Sequence, residues 1–191
     1  MDTDFDVEQP LTPAGERLVT AAAELFYRRG IRAVGVDLIA DSAGTTKKTL
    51  YDRFGSKDAL VALYLRRRAR RWQVFVGEYL ERTPPGRGRV LAVFDALEER
   101  LADQDRGCAF VNAHAEIGGT DHPGVTVVRA EKAAMRALFT AQVQALGLPD
   151  AERLGGQLHV LYEGANVAVT AGGQADAIEH ARAAAARLLE G

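Results

Sequence analysis

Nearly every stretch of this 191-residue chain repeats its apolar residues at helical spacing, and glycines and prolines cut that repeat into short lengths. No stretch alternates apolar and polar residues for long enough to make a strand, so the chain is expected to be all-α. Thr12-Pro13 reads as an N-cap followed by proline at the first helical position, with Glu16 in the first turns, where the helix dipole favours an acid. Leu18, Ala22, Leu25 and Phe26 share one face of this helix, and Gly30 stops it. Two short helices are expected at about 36–43 and 47–54, and a long one, capped by Ser56, runs to about Arg82. Beyond Thr83-Pro84-Pro85-Gly86 the pattern predicts helices at about 88–104, 108–117, 123–147, 150–172 and 175–189, about nine in all.

Composition narrows the class. With 47% hydrophobic and 26% charged residues the chain is no disordered polymer, and no apolar run nears the ~20 residues of a membrane helix. The acidic start, Met1 to Glu8, is unlike a basic presequence, so a cytoplasmic protein with no membrane partner is expected. Cys108 is the only cysteine, which rules out an internal disulfide and leaves no cysteine-based zinc site. The net charge of −2 hides an asymmetry: residues 1–11 carry four acids and no base, and residues 12–72 hold 13 Lys+Arg against 6 Asp+Glu. Residues 73–191 are acidic again, so a basic segment on an acidic body can attract a polyanion. The run Arg66-Arg67-Arg68 with Arg70-Arg71 fits either that use or a plain solvated face.

The segment from Val36 to Phe54 carries the functional argument. Val36, Ile39 and Ala40 make the inward face of a short helix, and Gly44 supplies the left-handed turn that ends it sharply. Thr46 can cap a second helix whose inward side is Leu50 and Phe54. Such a pair presents the second helix to a major groove. The candidate DNA-contact residues are Val36, Thr45, Thr46, Lys47, Lys48, Thr49, Tyr51, Arg53, Ser56 and Lys57, whose hydroxyls and cations suit phosphates and base edges. Ser56-Lys57, at a helix start, is expected to converge on one phosphate.

Residues 12–60 resemble the DNA-binding domain of TetR/AcrR-type transcriptional regulators. The marks are Ala22-x-x-Leu25-Phe26-x-x-x-Gly30, Val36-x-x-Ile39-Ala40-x-x-Ala43-Gly44 and Thr49-Leu50-Tyr51-x-x-Phe54-x-Ser56-Lys57-x-x-Leu60. The resemblance implies a three-helix DNA-binding head, a linking fourth helix, and a helical ligand-binding body that dimerises largely through its last two helices. It also implies a repressor that leaves a double-stranded DNA operator when a small-molecule effector binds. The corresponding division is an acidic tail over 1–11, expected to be disordered, a head over 12–57 and a body over 58–191. Gly35 stands where the family commonly has a capping Thr or Ser that meets a phosphate, which implies loss of that contact.

In the body, Leu154, Leu158, Leu161 and Ala165 form one apolar stripe and Ile178, Ala181, Ala185 and Leu188 another. Gly155, Gly164, Ala165 and Ala168 would let a partner helix approach, so these stripes are expected to make the homodimer, although they would equally serve as the subunit's own core. Candidate effector-binding residues are Trp72, Phe75, Tyr79, Phe94, Phe110, His114, Met135, Phe139, Tyr162 and Asn166, most of which also read as core aromatics. Glu116 either meets a cationic ligand or is solvated. Cys108, near a helix start, supports an alternative reading as an electrophile or redox sensor. The chain has no HExxH, GxSxG or phosphate loop, and His159 with Glu163 gives only two ligands, so no catalytic residue, metal or cofactor is expected. A helical adaptor that binds acidic proteins remains the third class.

Overall fold

The computed structural model describes residues 10–102 and 106–190. Residues 1–9 of the acidic tail lie outside the described residues, as does the expected stretch 103–104 of the fifth helix. Among the described residues there are nine helices and no strand: α1 Pro13–Arg29, α2 Val36–Ser42, α3 Lys47–Phe54, α4 Lys57–Arg82, α5 Arg87–Ala102, α6 Ala109–Ile117, α7 Pro123–Ala145, α8 Ala151–Thr170 and α9 Ala177–Leu188. The all-α expectation holds, and the described helix ends fall within two residues of those expected. They form two compact units. Of the described residues, the first joins those up to Arg71 with Ala109–Ala130, and the second joins those from Trp72 to Cys108 with those from Glu131 to Glu190.

The first unit is built on α1. The Thr12 hydroxyl accepts the Gly15 N–H at 3.3 Å, and Gly30, at φ 89°, returns its N–H to the Phe26 carbonyl. Leu18, Ala22 and Phe26 are buried beneath α1 together with Ile39 and Ala40 of α2, Leu50 of α3 and Leu60, Val61 and Leu65 of α4. Arg17 closes the end of α2 by donating to the Ala43 carbonyl at 3.1 Å. Two arginines of the basic run are also used for packing. Arg67 forks onto the Glu16 carboxylate at 2.6 and 2.9 Å, which holds that carboxyl below its ordinary pKa, and Arg68 lies 4.4 Å over the Tyr27 ring.

The second unit is an aromatic core. Phe94 and Phe139 are fully buried with ring centres 5.7 Å apart, and Tyr162 packs on both, at 6.3 and 5.8 Å. Trp72 stands 6.4 Å from Tyr162 and donates its indole N–H to the Met135 sulfur at 3.2 Å. Helices α7 and α8 touch backbone to side chain at Gly155, where an added Cβ would lie 2.7 Å from the Thr140 Cα. Arg182 ties α9 to α5 through Asp95 at 2.7 Å.

This packing corrects the expected dimer stripes. Leu154, Leu158 and Ala165 of α8 and Ile178, Ala181 and Ala185 of α9 are buried in their own subunit, and Leu161 and Leu188 are half-buried. Their face is the one that carries Tyr162, so the aromatic core claims it. What α8 leaves outward is Val160, 69% exposed, and Val167, 45% exposed, with Gly164 between them facing open space. The expected effector residues divide as well. Trp72, Met135, Phe139, Tyr162 and Asn166 are buried in the second unit, with Phe75 and Tyr79 partly buried beside them. Phe110 and His114 belong to α6 of the first unit, where Phe110 faces the core and His114 faces solvent, so neither joins that group.

Candidate nucleic-acid interface

Helix α2 is C-capped at Ala43, and Gly44 at φ 60° reverses the chain, with the Thr45 N–H returning to the Ala40 carbonyl at 3.0 Å. The Thr46 hydroxyl then accepts the Thr49 N–H at 3.2 Å and caps α3. Helix α3 buries only Leu50, and Phe54 is half-buried. Every other side chain of this short helix is therefore available outward. Lys47, Lys48, Tyr51, Asp52 and Arg53 are exposed, and Thr49 is half-buried with its hydroxyl 3.0 Å from that of Thr46. Tyr51 is 47% exposed, a large ring held in water on a helix whose underside is fixed.

Charge on this surface is locally masked. Lys47 pairs with Asp37 of α2 at 3.2 Å and Lys48 with Asp52 at 2.6 Å, all four side chains being mostly exposed. Pairs of this kind contribute at most ~1 kcal/mol, so a phosphate can displace either carboxylate. Val36 and Thr45 are half-buried at the edge of the same surface. Gly35 caps α2 with no side-chain bond.

Two residues at the start of α4 separate. The Ser56 hydroxyl accepts the Ala59 N–H at 3.0 Å and stays exposed. Lys57 turns inward, which corrects the expectation that it meets a phosphate. Its ammonium donates to the Ile31 carbonyl at 2.6 Å and lies 5.9 Å from the Phe26 ring centre, and burial pushes its pKa down despite Asp58 and Glu116.

Lys57 shares the peptide after α1 with a residue whose role sequence reasoning missed. Glu116 of α6 neither is solvated nor waits for a ligand: its carboxylate accepts the Ile31 N–H at 2.9 Å and the Arg32 N–H at 2.7 Å. A side chain at Gly30 would bring a Cβ within 2.9 Å of that carboxylate, so glycine is needed there for space as well as for φ. A second tie follows at His122, whose Nδ1 accepts the Gly124 N–H at 2.9 Å and whose Nε2 lies 3.4 Å from Asp58 at the start of α4. The turn that aims α2 and α3 is thus held by α6 and the start of α7. No local signal marks Glu116, because an acid on a short helix looks alike whether it faces water or a distant N–H pair. Glu116→Gln is expected to weaken the first unit by about 1.5 kcal/mol, since an amide places a donor against one of two N–H groups. Thermal melting and DNA titration of that variant check this, with several-fold weaker binding expected.

Residues 18–64 match the model of a family described as bacterial regulatory proteins, tetR family. A TetR-family transcriptional regulator of solved structure from Streptomyces coelicolor is 31% identical, with a TM-score of 0.79 over 93% of each chain. The chain belongs to the TetR family. Its family is one of DNA-binding transcriptional regulators, and α2 and α3 are the helix-turn-helix. Two curated relatives come from Mycolicibacterium smegmatis. The HTH-type transcriptional activator FasR is 36% identical over 98 residues, which is 50% of this chain and 45% of FasR. The HTH-type transcriptional repressor KstR2 is 35% identical over 101 residues, 50% of this chain and 49% of KstR2. The chain thus spans about half the length of the curated relatives it matches.

Proposed function

We propose that this TetR-family protein is a homodimeric repressor that reads a palindromic operator with α3 and leaves it when a small-molecule effector binds the second unit. The observation that carries the reading is the capped, well-seated α3 with Lys47, Tyr51 and Arg53 turned to solvent. Two copies related by a twofold axis match half-sites about one turn, ~34–36 Å, apart. The dimer contact falls on the outward side of α8 and α9, around Val160, Gly164 and Val167, because the inward stripes are occupied. The chain passes between its two units inside α4 and α7, so an effector that prefers a different setting of these helices lowers operator affinity by its differential affinity for the two states. No described helix is long and apolar enough to cross a membrane, and action on DNA in the cytoplasm fits this reading.

Fluorescence anisotropy against duplex from the protein's own upstream intergenic region, with random duplex as competitor, tests this. The expected result is competitor-resistant binding at two subunits per site, with affinity falling steeply as salt rises. Binding that random duplex abolishes for every genomic fragment overturns it. Salt-sensitive binding to acidic proteins without sequence preference would instead favour an adaptor.

One distance supports a second mode of control. The Lys132 ammonium lies 3.7 Å from the sulfur of half-buried Cys108, and reactive cysteines sit in electropositive, partly exposed surroundings of this kind. Thiol labelling of the folded protein separates the modes, and no labelling without denaturant ends the sensor reading.

A further inference from the structure

We propose that Glu131 and Asn166 form a recognition site for an organic cation, a protonated amine or amidinium on an apolar body. The site names the chemical class of the effector and so rests on the effector-release reading above.

Glu131 and Asn166 are 3% and 5% exposed, yet the Glu131 Oε2 and the Asn166 Oδ1 meet no hydrogen-bond donor among the described residues. Buried polar atoms are nearly always bonded, so two orphaned acceptors in one subunit core mark a place where something else donates. The helix register brings them together. Lys132 faces Glu163 at 2.9 Å, and eight residues on along α7 and eight back along α8, Thr140 meets Gly155. The two helices therefore run antiparallel in step. Met135 of α7 and Tyr162 of α8 both pack on Trp72, and one turn back along α7 and one turn on along α8 stand Glu131 and Asn166.

The charge around this layer calls for a cation. Glu131 and Glu163 share one ammonium, Lys132, which bonds Glu163 at 2.9 Å and lies 3.3 Å from the Glu131 Oε2 outside hydrogen-bonding geometry. His159 sits 3.4 Å from Glu163 and also lends its charge there when protonated. Among the described residues, the Glu131 and Glu163 carboxylates face one permanent cation, Lys132. Burial raises the Glu131 pKa although the Lys132 charge pulls it down, and the Glu163 charge adds to the rise. A ligand N–H on a positive head supplies a donor to these acceptors and a second cation beside the two carboxylates. Its apolar body then lies along Met135, Tyr162 and Trp72. The Trp72 ring already accepts one cation, Arg100, at 5.8 Å.

The test is isothermal titration calorimetry of the full chain without DNA, using benzylammonium and benzamidinium, with benzyl alcohol and benzoate as neutral and anionic counterparts. Both cations are expected to bind, the alcohol and benzoate not, and Glu131→Gln to lower cation affinity by about tenfold or more. Asn166→Leu is expected to lower it several-fold while keeping the fold. Glu131→Gln has a second readout. A buried carboxylate with a raised pKa lowers stability above that pKa, so the amide is expected to melt higher than wild type at neutral pH, and its Tm should fall less as pH rises. Failure of both cations to bind, binding of benzoate as tight as that of benzylammonium, unchanged affinity in Glu131→Gln, or a lower melting temperature in that variant overturns the proposal. Cation binding that leaves the operator complex intact keeps the site and overturns the effector reading instead.

Discussion

Gly155→Val is expected to lower the melting temperature by roughly 6–12 °C, which corresponds to about 3 kcal/mol in a domain of this size. A Cβ at position 155 would sit 2.4 Å from the Thr140 Oγ1 and 2.7 Å from the Thr140 Cα and N. The hydroxyl can rotate away, but the backbone of α7 cannot yield without moving Phe139, which is fully buried against Phe94 and Tyr162. Valine adds two methyl groups to that clash, so the helices must separate and the aromatic core must lose contact. Gly155→Ala is expected to follow in the same direction with a smaller shift. Circular-dichroism melts of wild type and both variants decide it, and a valine variant that melts with wild type would show that α7 and α8 do not meet this closely.

The double variant Lys47→Ala, Tyr51→Ala is expected to bind operator about 100-fold more weakly, taking each side chain at roughly 1–3 kcal/mol. Both are mostly free of the fold: Tyr51 is 47% exposed, and Lys47 makes only an exposed pair with Asp37. The variant should therefore melt and dimerise like wild type, which separates lost recognition from lost structure. The two single variants divide the loss. Removing a phosphate contact flattens the salt dependence, whereas removing a base contact weakens operator more than random duplex. Wild-type affinity in the double variant would mean that another element reads the operator.

The helix-turn-helix was legible because its determinants are local. Gly44, the Thr46 cap and the spacing of Ile39, Ala40 and Leu50 act within a few residues, and the structure places each as expected. Direction across distance was harder to read. The spacing of Leu154, Leu158 and Ala165 shows that one face of α8 is apolar but not whether a partner or the subunit's own rings cover it. Tyr162, on that face, decides in favour of the rings. Lys57 was read as solvent-facing because lysine so often is, yet the Ile31 carbonyl, 26 residues away, draws it inward. Glu116 lies 85 residues from the N–H it accepts, a separation no periodicity reports. Phe110 and His114 were grouped with residues of the second unit because aromatic composition carries no information about which unit an intervening helix joins.

Trp72 is the only tryptophan in the chain, so the indole emission of this protein comes from one place. That indole is 95% removed from water, bonded to the Met135 sulfur and 6.4 Å from the Tyr162 ring. Its spectrum should lie to the blue of a hydrated indole, and tyrosine excitation should reach it by energy transfer. A molecule that enters the layer beside Tyr162 changes the polarisability and quenching around a single chromophore. The unmodified protein therefore carries its own optical reporter of events in that core.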